Sequence, residues 1–353
     1  MHGLAALLLS LPLAALAGNP HMGSLHRKHW EKARGANHVR RGVTYTLEDD
    51  YSGQNFFDGW TFFSDADPTG GNVNYLSQSD AQGAGLAYVQ SDQTIVLAVD
   101  DTTQLQSGQN RNSVRIQTKK TYNSGLFVAD FFAMPHGCAV WPAYWTVGDG
   151  DWPNTGEVDI IGEQPRNSLS SPLFMNRIEG VNLNAENQIT LHTGPTCTLS
   201  GTESATANVV GTTCTSSAGA DAGCAYSQPG NNTFGHGFNV NAGGVFAHLW
   251  DSTGISVWFF SRAQVPQDLS NGNPDPTSWG APTAIFPSND GCDLSQHLTN
   301  HQIVLDTTLC GDWAGPAFSS GGCPGTCADF VANPDNFKCE YTAPDVDAIA
   351  APC

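Results

Sequence analysis

The chain has 353 residues, of which 33 are acidic and 14 basic, and it contains 38 glycines, 20 prolines and 10 cysteines. Its net charge of −19 argues against nucleic acid and anionic membranes as partners, because phosphate groups are bound by clustered lysine and arginine. With only 13% charged residues and abundant glycine and proline, the composition disfavours helix bundles and indicates a turn-rich, mainly β protein.

The N-terminal segment predicts export from the cell. Residues 1–17 contain an apolar run ending in Ala-Leu-Ala, which is typical of a signal peptide and too short to span a bilayer. Residues 18–41 hold six of the 14 basic residues and end at Arg40-Arg41, so we interpret them as a basic propeptide or a disordered segment. We therefore expect a secreted protein whose cysteines form disulfides. The remaining 8 basic and 32 acidic residues suit a neutral ligand.

Downstream of the basic segment, short β-type runs alternate with loops rich in serine, asparagine, aspartate and glycine. The runs are Val43–Leu47, Thr94–Val99, Ser113–Thr118, Leu126–Phe132, Gly156–Ile161, Gln188–His192, Ile255–Phe260 and Gln302–Asp306. We find no ten-residue stretch with helical periodicity and no linker that divides the chain. Many short strands over such a length predict a single domain over 42–353, built as a β sandwich with long loops.

The hexapeptide GEVDII carries the most distinctive chemistry. Side chains alternate across a strand, so Glu157 and Asp159 share one face. Alone, the pair is interpreted equally well as two solvated acids on an edge strand. However, the indoles of Trp141, Trp145 and Trp152 lie just upstream, and aromatic rings stack on the faces of sugars. Because retaining glycoside hydrolysis uses two carboxyl groups about 5–5.5 Å apart, the combination indicates a carbohydrate-active site.

The wider pattern resembles glycoside hydrolase family 16, specifically the fungal laminarinase-type endo-β-1,3(4)-glucanases. The resemblance runs from about residue 45 to 332 and rests on the motifs "GQNRNSVRIQTKKTY", "MPHGCAVWPAYWTVGDGDWPNTGEVDII", "QITLHTGPTC", "VWFFSR" and "LCGDWAG". Eight cysteines also stand in family-like contexts. The resemblance implies an all-β, concanavalin A-like jelly-roll sandwich of two antiparallel sheets, whose concave face forms a glucan cleft. It implies no cofactor and no catalytic metal.

The resemblance also assigns roles to residues of the catalytic strand. Glu157 matches the nucleophile that forms a glycosyl-enzyme, and Asp159 matches the acid between the two catalytic glutamates. Glu179 matches the general acid and base, but only if the residues before it are removed. His192 matches a cleft histidine of the family. A lone histidine is also common in purely structural positions.

Further cleft residues follow from the same resemblance. The three indoles named above are candidate sugar platforms, although at least one is expected to be part of the core. Arg111 and Asn112 stand where the family has polar residues that line the cleft. Arg115 follows them, but strand alternation places it on the face opposite Asn112, and it is interpreted equally well as the partner of an acid.

The catalytic motif departs from the family pattern at its last position. The family strand reads E-x-D-x-x-E with a one-residue bulge, whereas the sixth position here is Gly162. Glu163 has the same strand parity as Glu157, but six residues of strand separate the two by about 20 Å. It could therefore replace the missing acid only if the backbone folds back. Joining Ile161 directly to Glu179 restores both E-x-D-x-x-E and the following "EGVN". Residues 162–178 therefore form an insertion of 17 residues.

A retained intron explains this insertion, and we state it as a hypothesis. Codons for Gly162-Glu163 can contain GTGAG, and codons for Ile178-Glu179 can contain the terminal AG, so that removal of 51 nucleotides stays in frame. The alternative is a genuine loop, since loop insertions cost little closure entropy. A genuine loop here would separate catalytic groups that need positioning within half an ångström.

The C-terminus departs from the family as well. The family closes with an aromatic-rich strand, whereas this chain ends in "KCEYTAPDVDAIAAPC". Cys339 and Cys353 have no family counterparts. A second error in the gene model, at its 3′ end, would account for this difference.

These features predict a secreted endo-β-1,3(4)-glucanase that acts as a monomer on β-glucan by a retaining double displacement. We expect no cofactor and neither a nucleic-acid nor a membrane partner. One alternative is a cell-wall glucan transglycosylase, although those enzymes tend to carry the unbulged E-x-D-x-E. Another is a glucan-binding protein that is inactive because the insertion disrupts the catalytic strand.

Overall fold

The computed structural model describes residues 44–162, 181–217 and 219–338. The predicted signal peptide at 1–17 and the basic segment at 18–41 lie outside the described residues. So do Glu163, Glu179 and most of the proposed insertion, as well as Cys339 and Cys353. The predictions made for these segments, and the proposed domain boundaries, stay predictions.

One large antiparallel sheet of eight strands organises the described chain. Its strands, in spatial order, are β1 (Trp60–Phe62), β6 (Arg115–Thr118), β16 (His301–Leu309), β8 (Val140–Gly148), β9 (Glu157–Ile161), β10 (Asn187–His192), β12 (Cys224–Gln228) and β11 (Asn208–Gly211). Strand β9, which carries the paired carboxylates, therefore lies in the interior of the sheet and not at an edge.

A second antiparallel sheet has four strands, and two smaller strand pairs complete the β structure. The four-stranded sheet has the order β15 (Ala284–Pro287), β14 (Gly254–Ser261), β13 (Gly244–Asp251) and β7 (Gly125–Phe131). The small pairs are β2 (Val73–Tyr75) with β5 (Arg111–Ser113), which is parallel, and β3 (Ala87–Val89) with β4 (Ile95–Leu97).

The helices are short. They are α1 (Gln78–Gly83), α2 (Gly235–Val240), α3 (Gln267–Ser270), α4 (Gly311–Ala314) and α5 (Cys327–Ala332), with a few additional 3₁₀ turns. None of these five exceeds six residues, in agreement with the absence of helical periodicity in the sequence. Over the ranges that the structure describes, no helix has the length and apolarity needed to cross a membrane.

Seven of the eight predicted runs overlap observed strands, whereas eight of the sixteen observed strands lie outside the predicted runs. The run that begins at Val43 is wrong as a strand, since residues 44–47 have no regular structure and Leu47 is exposed. The nine-residue strand β8 was not predicted, because Pro142 inside it is a residue that strands usually exclude. Elsewhere each predicted run overlaps at least one observed strand.

A shared hydrophobic core joins the two sheets. Val158 and Ile160 of β9 belong to one buried cluster with Phe246 of β13, Val257 of β14 and Phe286 of β15. Each fully buried side chain of this kind contributes about 1.5–3 kcal/mol to the free energy of unfolding. Because one face of β9 is anchored in this core, the opposite face is free to present carboxylates.

Eight cysteines of the described chain form four disulfides, which confirms the prediction that disulfides form and adds the pairing that the sequence left open. The pairs are Cys138–Cys323, Cys197–Cys292, Cys214–Cys224 and Cys310–Cys327. The first two join segments 185 and 95 residues apart, which restricts the unfolded chain over long loops. Disulfides on this scale are typical of proteins that fold in an oxidising compartment.

Candidate active site

The site is built around the middle of strand β9. Glu157 lies opposite His192 of β10, and Asp159 lies opposite Trp145 of β8. Glu157 is half-buried, while Asp159 is buried. Both carboxylates line a recess on the face of the large sheet, as the alternation of the sequence predicts.

Strand β9 contains a bulge. Asp159 pairs with Trp145, but Ile161 pairs with Tyr144, so Ile160 is one extra residue on this strand. The carbonyl oxygen of Ile160 accepts a hydrogen bond of 2.7 Å from Nδ2 of Asn187 on β10, which holds the irregular peptide in place. The bulge re-aims the end of the strand, so that the residue after Ile161 returns to the face of the carboxylates.

That residue is Gly162, and it lines the same recess as Glu157 and Asp159. Its carbonyl oxygen accepts a hydrogen bond of 2.6 Å from Nε1 of Trp141. Its φ is +96°, and an added Cβ would lie 2.2 Å from the carbonyl oxygen of Pro142. The sixth position of the motif therefore reaches the site, but it brings no carboxylate, and its left-handed backbone conformation in this chain leaves no room for a side chain.

His192 completes a compact group with the two acids. Its Nε2 lies 3.4 Å from Oδ2 of Asp159, and its Nδ1 lies 2.9 Å from Oγ of Ser216, while the ring is only 1% exposed. Potential ligand atoms of Glu157, Asp159 and His192 all lie within 4.8 Å of one another. In the part of the chain that the structure describes, these are the residues that could share a metal ion, although hydrolysis by paired carboxylates requires none.

The three candidate indoles occupy different positions. Trp152 is 39% exposed, and its Nε1 donates a hydrogen bond of 2.5 Å to Oε2 of Glu157. Trp145 is half-buried, and its Nε1 donates to Oδ1 of Asp306 at 2.7 Å. Trp141 is almost fully buried, against Trp313, so it acts mainly as core at the edge of the recess.

The structure does not bring Arg111 into the recess, contrary to expectation. Its guanidinium group is 0% exposed and donates from Nε and Nη2 to the carbonyl oxygen of Val331, and from Nη1 to that of Asp100. Strand β5 pairs with β2 outside the large sheet, so its side chains face a different part of the molecule. Asn112 lies there too, and its Oδ1 accepts from Asn74.

Arg115 is the arginine that lines the recess, together with Asp306 of β16. Burial raises the pKa of Asp306, while the nearby Arg115 opposes that effect. Sequence reasoning missed Asp306 and Thr308, which line the recess, and Tyr75, which donates a hydrogen bond to Asp306. The one available signal was the acid at the end of the predicted strand 302–306, an unusual position for a side chain that a sheet must partly bury.

Comparisons with known proteins agree with this geometry. A family model for XgeA-like catalytic GH16 domains matches residues 60–171 and 175–343. A probable glycosidase of Schizosaccharomyces pombe is 40% identical over 306 residues, covering 85% of this chain and 68% of that protein. A probable endo-1,3(4)-beta-glucanase of Neosartorya fischeri is 39% identical over 314 residues, covering 86% of this chain and 45% of that protein. The chain thus spans less than half of the second relative.

Two solved structures are similar over most of the chain. Laminarinase 16A of Phanerochaete chrysosporium, described with beta-glucans in both donor and acceptor sites, has a TM-score of 0.75 and 40% identity, covering 83% of this chain and 95% of that one. An elongating family 16 beta-1,3-glucosyltransferase has a TM-score of 0.73 and 36% identity, with the same coverage. The large antiparallel sheet, the carboxylate strand and these matches agree: the chain belongs to glycoside hydrolase family 16, as an XgeA-like catalytic domain of the endo-1,3(4)-β-glucanase type.

Proposed function

We propose that this protein is a secreted, monomeric enzyme that cleaves internal bonds of β-1,3-glucan or mixed-linkage β-1,3(4)-glucan. The observation that carries the proposal is the recess over β9, where Glu157 and Asp159 meet the indoles of Trp145 and Trp152. A neutral polymer suits this site, because its carboxylates would repel an anionic one. We also propose that the two sheets form a jelly roll whose concave face binds the glucan.

In the proposed mechanism, Glu157 attacks the anomeric carbon and forms a glycosyl-enzyme with retained configuration after the second step. The indole Nε1 of Trp152 donates to the carboxylate of Glu157 and orients it. Asp159 and His192 form a charged or hydrogen-bonded pair beside the nucleophile. The acid that protonates the leaving oxygen, and later activates water, is Glu179 in the chain that lacks residues 162–178.

The full-length chain is expected to bind glucan without hydrolysing it efficiently, because Gly162 supplies no proton donor. We therefore predict that deletion of residues 162–178 creates or strongly raises the release of reducing sugar from laminarin. General acid and base catalysis contributes about 10²–10⁴-fold, so the difference should be of that size. Glu157→Gln in the shortened chain is the control, and it should abolish release. Equal activity of both forms would contradict the proposal.

A second measurement separates a missing acid from a damaged nucleophile. An aryl β-glucoside with a good leaving group needs no protonation, so Glu157 of the full-length chain should still displace the phenolate and form the ester. Azide can then attack the anomeric carbon, release Glu157 and yield the β-glycosyl azide without a general base. Formation of this product by the full-length chain, and its loss in Glu157→Gln, is the expected result. No product would place the defect at the nucleophile.

Transfer to sugar is the second candidate reaction, and the similarity to a family 16 glucosyltransferase favours testing it. In that case the glycosyl group passes from Glu157 to a sugar hydroxyl in place of water. Sizing the products of laminarin digestion with an added oligosaccharide acceptor distinguishes the two. With a labelled acceptor, shorter laminarin products and an unchanged acceptor indicate hydrolysis, whereas lengthening of the labelled acceptor indicates transfer.

A further inference from the structure

We propose that Asp306 is a positioning residue, which fixes the indole of Trp145 as a sugar-stacking surface in the recess. The inference rests on the function proposed above and concerns the same recess. Asp306 lies on β16, next to the strand that carries Trp145. It is two strands away from β9 and therefore too far from Glu157 to take part in bond cleavage, since neighbouring strands are about 4.8 Å apart.

Two hydrogen bonds orient the Asp306 carboxylate. Its Oδ1 accepts from Nε1 of Trp145 at 2.7 Å, and its Oδ2 accepts from the hydroxyl of Tyr75 at 3.2 Å. Tyr75 is only 2% exposed, so the second donor is held by the surrounding core. Each carboxylate oxygen thus has a defined donor, and the carboxylate in turn fixes the rotation of the indole.

Arg115 restricts the same indole from one side. Its guanidinium carbon lies 4.9 Å from the ring centroid of Trp145 and 4.7 Å from that of Phe63, so the cation is held between two rings. Arg115 also pairs in register with Asp306 across β6 and β16, which places opposite charges on neighbouring strands. The cation covers part of Trp145, and the indole also lines the recess that holds Glu157.

This arrangement explains why a carboxylate stands in the middle of β16. The indole is in contact with a cation, hydrogen-bonded at its edge and open to the recess. Without Asp306, the indole N–H loses its acceptor and the ring can rotate about its side-chain bonds. Loss of the fixed orientation should weaken sugar binding, since aromatic contacts depend on ring geometry.

A double-mutant cycle tests the inference in the full-length chain with Glu157→Gln, so that no turnover interferes. We measure binding of laminarihexaose by calorimetry for Asp306→Ala, Trp145→Phe and the combination. Asp306→Ala should weaken binding about tenfold, the scale of one oriented aromatic contact. In the Trp145→Phe background it should cause no further loss, because the hydrogen bond it removes is already absent. Asp306→Asn, which keeps an acceptor oxygen, should restore most of the affinity.

A matched control lies on the other side of the molecule. Trp279 also donates from Nε1 to a carboxylate, that of Asp268, at 2.9 Å, and packs against Trp258 of the four-stranded sheet. Asp268→Ala therefore removes the same kind of bond outside the recess, and it should leave laminarihexaose affinity unchanged. An equal loss in this control would show that the effect of Asp306→Ala is general destabilisation, which would overturn the inference.

A second measurement follows Trp145 without any sugar. The indole N–H resonance that disappears in Trp145→Phe should exchange with solvent faster in Asp306→Ala than in the parent. The inference is overturned if Asp306→Ala leaves the indole N–H exchange rate unchanged or leaves the laminarihexaose affinity unchanged. It is also overturned if the losses of affinity from Asp306→Ala and Trp145→Phe are fully additive, because Asp306 would then contact the sugar directly. If the parent binds no laminarihexaose, the proposed function itself fails. If the parent binds and only the cycle disagrees, the positioning role alone fails.

Discussion

Gly162 stands where the resemblance predicts the second catalytic glutamate of the E-x-D-x-x-E pattern. The backbone there has a φ of +96°, and its carbonyl oxygen is hydrogen-bonded to Nε1 of Trp141. An added Cβ would lie 2.2 Å from a main-chain oxygen of β8, which cannot move without disturbing the sheet. A substitution alone therefore cannot supply the missing carboxylate. Deletion of residues 162–178 differs, because it also changes the chain that follows Ile161, and we expect Glu179 to leave the left-handed conformation that Gly162 has here.

We predict that Gly162→Glu in the full-length chain gives no gain in laminarin hydrolysis. It should also lower the free energy of unfolding by at least about 2 kcal/mol, because a left-handed backbone and a backbone clash both disfavour a side chain. Thermal unfolding and reducing-sugar release are the measurements. Gly83→Glu is the control, since a Cβ at Gly83 meets nothing within 4 Å. Hydrolysis by Gly162→Glu at unchanged stability would contradict this account.

The sequence revealed some site residues and missed others for a physical reason. Glu157 and Asp159 lie two positions apart on one strand, so alternation alone places them on one face. Asp306 accepts hydrogen bonds from Trp145 and Tyr75, which lie 161 and 231 positions away along the chain. No local pattern encodes such a meeting. Only the order of strands in the sheet brings these groups together.

At the scale of single elements, strand pairing determines where Arg111 and Arg115 lie in the fold. The alternation of side chains along β5 and β6 predicts which residues share a face of each strand, but it does not predict which sheet each strand joins. Strand β5 pairs with β2, and its Arg111 holds helix α5 through two bonds to the carbonyl oxygen of Val331. Strand β6 joins the large sheet and brings Arg115 to the recess. The same reasoning explains the bulge at Ile160, which depends on a partner, Asn187, from the next strand.

We predict that Arg111→Leu lowers the free energy of unfolding by about 3 kcal/mol, because it leaves two buried carbonyl oxygens without donors. Laminarihexaose affinity in the Glu157→Gln background should not change, since Arg111 lies outside the recess. Chemical denaturation and calorimetry check the two statements. Lys119→Ala is the control, because its Nζ donates to an exposed carbonyl oxygen of Asp58. A loss of laminarihexaose affinity with an unchanged free energy of unfolding would contradict this prediction and would indicate that Arg111 contacts the glucan.

For the whole molecule, three buried histidines of the described chain, His136, His248 and His301, make stability depend on pH. His301 on β16 lies 2.9 Å from Oγ1 of Thr146, and His248 on β13 stacks on Phe127 with ring centroids 4.4 Å apart. Burial lowers the pKa of His301 to about 4 and that of His248 to about 3, the latter also through repulsion by His301. The unfolded chain has histidine pKa values near 6.5. It therefore binds protons first as the pH falls, and stability falls with it.

We predict that this loss begins near pH 6.5 and continues toward pH 4. At pH 4.5, each histidine should have lowered the free energy of unfolding by about 2–3 kcal/mol relative to neutral pH. His248→Phe removes one titrating ring while keeping an aromatic group against Phe127, and among the described residues no partner bonds to Nδ1 of His248. The variant should therefore flatten the dependence of the free energy of unfolding on pH, as measured by denaturation at pH 7 and 4.5. Identical slopes for parent and variant would contradict the assignment.

The sequence predicted the all-β class and the presence of disulfides, although not which cysteines pair, and its family resemblance predicted the two antiparallel sheets. Composition and short strand runs suffice for the class, because helices and strands have different periods. Strand β8 was missed because Pro142 disfavours a strand locally, although eight neighbouring residues pair with β16. Such tertiary support overrides local preference, and it is invisible until the sheet order is known.

The 17 additional residues stand in the connection between β9 and β10, which are hydrogen-bonded neighbours in the large sheet. Neither sheet sets the length of that connection, so we expect removal of residues 162–178 to change the chemistry and to leave the two sheets unchanged. Two translation products, with and without the segment, should both express well and melt cooperatively. If residues 162–178 translate a retained intron, any screen that scores only folded, soluble protein would accept the longer product as readily as the shorter one.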